Sequence, residues 1–322
     1  MNYAFMLPVF GQGNVFVEPD DDASAEKAKD DSNSDADANT DNYSDFNFVV
    51  AGDFSCNKEA RKTVNNMASK NPEIVLTVGD HSYRKSADCW FDTVSPLDTG
   101  DRFKIAFGEH DVDDNLTKYN TYLRHFNLTD PYYSFDYQNV HFLVMTTAKN
   151  SVIPYMYNSA QYDFVNNDLR SAHENKNINW IVVLSYRPLY SSNSTHSGKA
   201  VLQELYHPLF DKYRVDLVLQ GHNHNYQRTY PLGYNITDSH RPIILDRDAS
   251  IYNNELTGPV FVTVGTAGEN LHNFTDQKPF VKTQFLRHGF LNLELTDHGA
   301  NLTGSFNDNN GLTNEDQFTI LK

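Results

Sequence analysis

Short apolar runs, each stopped by a glycine or a polar turn, set the rhythm of this chain from Phe46 onward. "FNFVVAG" is the first, β-branched and aromatic and of the length of a buried strand. "KEARKTVNNMASK" follows with helical spacing, and then "EIVLTVG" and "FKIAFG" as further buried strands. Strand–helix–strand order predicts βαβ units and parallel pairing. "YYSFDYQN" and "VHFLVMTT" alternate about Gln138-Asn139 and predict a hairpin. "NSAQYDFVNNDLRSAH" and "KAVLQELYHPLFDKY" carry helical spacing, while "INWIVVLS" and "VDLVLQG" read as strands. The C-terminal part is strand-rich, through "GPVFVTVG", "GFLNLEL", "NLTGSF" and "DQFTIL". The order predicts an α/β fold, a four-layer α/β/β/α sandwich of two mixed β-sheets with helices on the outer faces. There is no internal repeat at a fixed period.

The segments before Phe46 break this rhythm. Residues 1–17 are apolar but lack a basic start and contain Pro8, which suits a remnant of a signal peptide. Residues 18–45 hold eleven acidic side chains against Lys27 and Lys29, and so carry −9 of the net charge of −16. With almost nothing apolar to bury, this stretch reads as a disordered acidic linker. The folded domain then spans residues 46–322, long enough for a sizeable core. Its lack of a basic patch argues against nucleic acid as a partner. No further apolar run is long enough to be a transmembrane helix. Sequons at Asn42, Asn115, Asn127, Asn193, Asn235, Asn273 and Asn301 are candidate glycosylation sites and support export only weakly.

Five strand ends carry the candidate chemistry: Asp53; Asp80 with His81 and Tyr83; Glu109, His110 and Asp111; Tyr186; and His222 with His224. In open α/β sheets ligands bind beyond the carboxyl ends of the strands, so these turns are expected to converge on one rim. Carboxylate, imidazole and phenolate together suit Fe(III), Mn(II) or Zn(II). Two cations sharing one carboxylate could clamp a phosphate and activate water. Taken singly each residue has a plainer use: an Asp as a helix cap, a Tyr as packing. Cys56 and Cys89, the only cysteines, each follow an acidic strand end. They form either a disulfide, if those strands are neighbours, or two buried thiols. No G-x-x-x-x-G-K-[ST] or G-x-G-x-x-G follows the first strand, which excludes the common nucleotide-binding loops.

The ordered blocks "GDFS", "GDHSY", "GEHD", "VVLSYRPLY" and "GHNH" resemble those of the calcineurin-like metallophosphoesterases, and among them the purple acid phosphatases. The resemblance implies a first metal site of Asp53, Asp80, Tyr83 and His224 holding Fe(III). It implies a second, weaker site of Asp80, Glu109, Tyr186 and His222 for Zn, Mn or Fe. There Glu109 stands where the family has Asn, and Tyr186 where it has His. His110 and His196 match the family's substrate-binding histidines. With Asp80 they form the implied catalytic set, His196 protonating the leaving oxygen. Asp111 is expected to brace His110, His81 to pack or support, and Arg187 and Arg228 to form structural ion pairs. The implied function is an exported phosphoesterase that hydrolyses small phosphomonoesters or nucleotides through a metal-bound hydroxide, extracellular or tethered at the cell surface by its linker. The departures at Glu109 and Tyr186 leave a second reading, a catalytically impaired surface protein with one metal or none.

Overall fold

The computed structural model describes residues 43–248, 250–253, 258–311 and 313–322. The apolar segment 1–17 and nearly all of the acidic linker lie outside them. From the first strand the elements run β1 (Phe46–Ala51), α1 (Lys58–Ser69), β2 (Ile74–Val78), α2 (Asp88–Val94), β3 (Phe103–Ala106), α3 (Thr117–His125), β4 (Tyr133–Tyr137) and β5 (Val140–Val144). Then follow α4 (Ala160–Glu174), β6 (Trp180–Ser185), α5 (Ala200–Lys212), β7 (Leu217–Gln220), β8 (Tyr226–Thr229), β9 (Leu232–Gly233) and β10 (Ile243–Ile244). The last are β11 (Ile251–Asn253), β12 (Val260–Val264), β13 (Val281–Phe285), β14 (Gly289–Thr296), β15 (Asn301–Asp308) and β16 (Thr313–Leu321).

Two seven-stranded sheets result, ordered β11-β16-β15-β14-β1-β2-β3 and β13-β8-β12-β7-β6-β5-β4. Both are mixed. β1, β2 and β3 run parallel while β14 is antiparallel to β1. β5, β6, β7 and β12 run parallel while β4 and β8 pair antiparallel at either side.

Period-two alternation explains the layers. Phe48 and Val50 of β1, Leu76 and Val78 of β2, Phe142 and Val144 of β5, and Val182 and Leu184 of β6 all face one shared core between the sheets. Val49 and Val75 point the other way, into a second core with Val64, Met67, Trp90 and Tyr122 of α1, α2 and α3. Leu143, Ile181 and Val183 point outward against Val165 and Leu169 of α4 and Leu202 and Tyr206 of α5. This is the four-layer arrangement expected from the pattern. The hairpin at Gln138-Asn139 forms between β4 and β5. The helices begin where the sequence supplies caps: Asn57 accepts from the Ala60 amide at 2.9 Å, and Ser159 from that of Tyr162 at 3.1 Å. The short helices α2 and α3 were not expected.

The sheets close on each other at one rim. The Gly52 amide past β1 donates to the Val264 carbonyl at the end of β12, at 3.0 Å. A Cβ at Gly221 would sit 2.5 Å from the carbonyl oxygen of Val78, so only glycine lets the ends of β7 and β2 approach this closely. Further along, Arg228 of β8 bonds Asp316 of β16 through two nitrogens, at 2.6 and 2.7 Å, a buried bidentate pair that ties one sheet to the other.

Candidate metal centre

Three of the expected site residues sit in a backbone conformation that sequence patterns do not reveal. Asp53 follows β1 with φ of 59°, Asp80 follows β2 with 52°, and His222 follows β7 with 69°. Left-handed backbone outside glycine costs on the order of 1–3 kcal/mol at each position and persists where the surroundings demand it. Here it turns each side chain inward from its strand end. Asp53, Asp80 and His222 are all buried.

A first group gathers around the Tyr83 hydroxyl. It lies 3.2 Å from Asp53 Oδ1, 3.3 Å from Asp80 Oδ2 and 3.0 Å from His224 Nε2, while His224 Nε2 lies 3.3 Å from Asp53 Oδ1. One hydroxyl proton cannot serve two carboxylates and an imidazole together. The spacing instead matches the edges of a coordination shell with ligand bonds of about 2.0–2.2 Å, whose edges run from about 2.8 Å in an octahedron to about 3.6 Å in a tetrahedron. His224 is set up for this, because its Nδ1 donates to the Asn270 carbonyl at 2.8 Å and leaves Nε2 facing the group. The electrostatics agree. Burial, then the charges of Asp53 and Asp111, push Asp80 well above the carboxylate range. Burial, then Asp53 and Asp80, push Tyr83 well above the ordinary phenol. Burial opposes charge on His224, but Asp53 outweighs it and raises the imidazole. Buried like charges of this kind call for a cation. Among the described residues no three His, Cys, Asp or Glu side chains form a metal site by themselves; the Tyr83 phenol stands as a further oxygen donor beside Asp53, Asp80 and His224. This donor set fits a hard trivalent or borderline divalent ion.

The second group does not fit in the same way. The Tyr186 hydroxyl lies 2.6 Å from Asp80 Oδ2 and 2.7 Å from His222 Nδ1. These are hydrogen-bond lengths, shorter than coordination edges. Glu109 is turned aside. Its Oε1 accepts from the Lys149 amide at 3.2 Å and lies 3.8 Å from Arg187 Nε. The expected set of Asp80, Glu109, Tyr186 and His222 therefore borders one cavity of about 180 Å³, but Glu109 stands apart from the other three.

That cavity is also lined by His110, His196, His224 and His272. His110 is exposed at its mouth, with its ring 4.3 Å from that of Tyr83 and its amide 2.7 Å from Asp80 Oδ1. His196 stacks on His222, ring centres 3.7 Å apart, and burial lowers its pKa. Sequence reading did not find His272, which stacks on His224 at 3.8 Å and is pushed down to about 4 by burial and by its histidine neighbours. A lone histidine between strands gave no spacing signal.

Supporting contacts hold the turns. Asp111 does not brace His110. Its carboxylate takes the amides of Asp80, His81 and Gly108 at 2.8–2.9 Å, which locks the turns after β2 and β3 together. His81 packs fully buried beside Trp90 and Tyr122, with Nδ1 2.9 Å from Asp111. Lys118 of α3, also missed, sends its ammonium to the carbonyls of Ser82 and Arg84 at 2.6 and 2.9 Å, on either side of Tyr83. Cys56 and Cys89 form a disulfide between the loop after β1 and α2. Arg187 and Arg228 pair with Glu109 and Asp316.

Comparison with known proteins gives this geometry a setting. The model of the calcineurin-like phosphoesterase family matches residues 46–226. A protein of Arabidopsis thaliana named probable inactive purple acid phosphatase 27 is 28% identical over 283 residues, 79% of this chain and 44% of its own length. Purple acid phosphatase 21 of the same plant is 26% identical over 277 residues, 78% of this chain and 57% of its own. The chain thus spans about half the length of these curated relatives. The purple acid phosphatase from yellow lupin (Lupinus luteus) seeds superposes with a TM-score of 0.70 at 22% identity, over 87% of this chain and 54% of that one, a likeness of fold.

Proposed function

Because the chain belongs to the calcineurin-like phosphoesterase family, we propose that it is a metal-dependent phosphoesterase acting on small phosphorylated substrates. The observation that carries this reading is the Tyr83 hydroxyl, 3.0–3.3 Å from Asp53, Asp80 and His224. These four residues would hold the cation, with Fe(III) the natural choice for a phenolate site. When bound, it supplies positive charge to a phosphoryl group and acidifies water. His110, exposed beside Tyr83, binds a phosphoryl oxygen. His196, half-buried over His222, gives a proton to the leaving oxygen, a role that its lowered pKa confines to the acidic side of the ordinary imidazole range. Asp80 orients the attacking water. Catalysis of this kind is mostly positioning and electrostatics, so no protein nucleophile is required. The acidic chain disfavours polyanions, which leaves small monoesters and nucleotides as substrates.

The Cys56–Cys89 disulfide supports an oxidising compartment. We read the chain as exported, with the acidic segment 18–45 as a surface tether. Among the described residues no helix is long and apolar enough to cross a membrane.

One observation favours a second reading, a catalytically impaired member: the Tyr186 hydroxyl lies between Asp80 and His222. Phosphate release from a panel of phosphomonoesters and nucleotides separates the two. The first reading expects turnover that falls about 100-fold or more in His110→Ala and in His196→Ala. Absence of turnover by cation-loaded protein across the panel favours the second.

A further inference from the structure

We infer that this chain takes one cation rather than two, and that Tyr186 is the residue that closes the second position. The inference rests on the metal-site reading above and concerns what lies beside that site. In a two-cation centre, the shared Asp80 would reach across to a second ion alongside His222. Here the Tyr186 hydroxyl is interposed between Asp80 Oδ2 and His222 Nδ1, at 2.6 and 2.7 Å.

The ring is built into place. A Cβ at Gly79 would lie 2.5 Å from Tyr186 Cδ2, and one at Gly108 2.8 Å from Cε2. The two glycines after β2 and β3 thus form a cradle that the ring fills, and Tyr186 is fully buried in it. A second ion ligated by Asp80, Tyr186 and His222 would need the 2.6–2.7 Å contacts opened toward the longer edges of a coordination shell, about 2.8 Å or more. The cradled ring has little room for that movement. The other donors expected there give no help. Glu109 is held by the Lys149 amide and Arg187, and the His196 ring is stacked on that of His222, centres 3.7 Å apart.

The test uses the full chain, stripped of metal, reloaded with Mn(II) and desalted, with metal measured by elemental analysis and by electron paramagnetic resonance. The expected result is one equivalent with the hyperfine pattern of an isolated ion. Tyr186→His, which removes the phenol and adds a nitrogen donor, is expected to rise to two equivalents with a spin-coupled signal. Two equivalents or a coupled signal in the unaltered chain overturns the inference and leaves the phosphoesterase reading standing. A folded Tyr186→His chain that stays at one equivalent overturns the role given to Tyr186. No bound metal in the unaltered chain after reloading with Mn(II) and, separately, with Fe(III) removes the first site, and the phosphoesterase reading with it. If Tyr186→His does not fold, the resonance signal of the unaltered chain decides the stoichiometry alone.

Discussion

The hydroxyl of Tyr83 lies 3.0 Å from Nε2 of His224, although 141 positions separate them in the chain. The contact joins the turn after β2 to the turn after β7, one from each sheet, and both are aimed at the same point. Tyr83→Phe keeps the ring and removes the oxygen. Fe(III) affinity is expected to fall by about 100-fold or more, beyond the ~10–100-fold typical of losing a supporting contact. The visible phenolate-to-iron absorption is expected to vanish while the thermal midpoint moves little. Titration of Fe(III) followed by absorbance checks both.

Lys118 reaches Tyr83 without touching it. Its ammonium holds the carbonyls of Ser82 and Arg84, and burial lowers its pKa. Lys118→Met leaves those two carbonyls without their donor. The expected results are a loss of about 1–3 kcal/mol in stability and a ~10-fold loss in cation affinity. The Fe(III) absorption should shift, and Lys118→Arg should restore part of it. A general loss of stability would not by itself shift that band.

The Cys56–Cys89 bridge closes a segment of 33 residues across the base of the same turns. Chain-entropy reasoning gives about 3–4 kcal/mol for a loop of this size. Urea unfolding with and without reductant is expected to show a lower midpoint after reduction. Cys56→Ser should lower it by a similar amount and abolish the effect of reductant.

On the far side of the second sheet, His141 sits between Asp136 at 2.7 Å and Asp168 at 2.8 Å. Burial opposes its charge, but hydrogen bonds and attraction from Asp168 and then Asp136 outweigh it and raise the pKa. Asp136 is half exposed and screened, so Asp168 carries more of the effect. A raised imidazole gives stability that is fully present below the unfolded value of about 6.5 and is lost as pH climbs through the folded value. The urea midpoint is therefore expected to fall as pH climbs from about 6.5 through the raised folded value, and less so in His141→Gln. Equal slopes in the two proteins would contradict the assignment.

Much of this was legible in the chain. β1, β2, β3, β6 and β7 are mostly apolar runs, and the titratable residues that follow them do meet at one rim. What escaped was set by tertiary contact. α2 and α3 are too short for their periodicity to register, and they are held by packing of Trp90 and Tyr122 rather than by pattern. His272 and Lys118 act through neighbours distant in sequence. The run Glu109-His110-Asp111 offers a metal ligand, a substrate contact and a brace side by side, yet its 3₁₀ turn sends Glu109 toward Arg187, His110 to the cavity mouth and Asp111 into the backbone of the neighbouring turn. The left-handed backbone at Asp53, Asp80 and His222 left no mark in composition.

The most direct test of the whole account is hydrolysis of 4-nitrophenyl phosphate by the metal-free full chain as cation is added stepwise. Activity is expected to rise with the first equivalent and level there, and to fall at least ~1000-fold in Asp80→Asn, which loses both a ligand and the group that orients water. A break at two equivalents would contradict the closure by Tyr186 alone. No hydrolysis of this monoester at any loading would contradict the central claim.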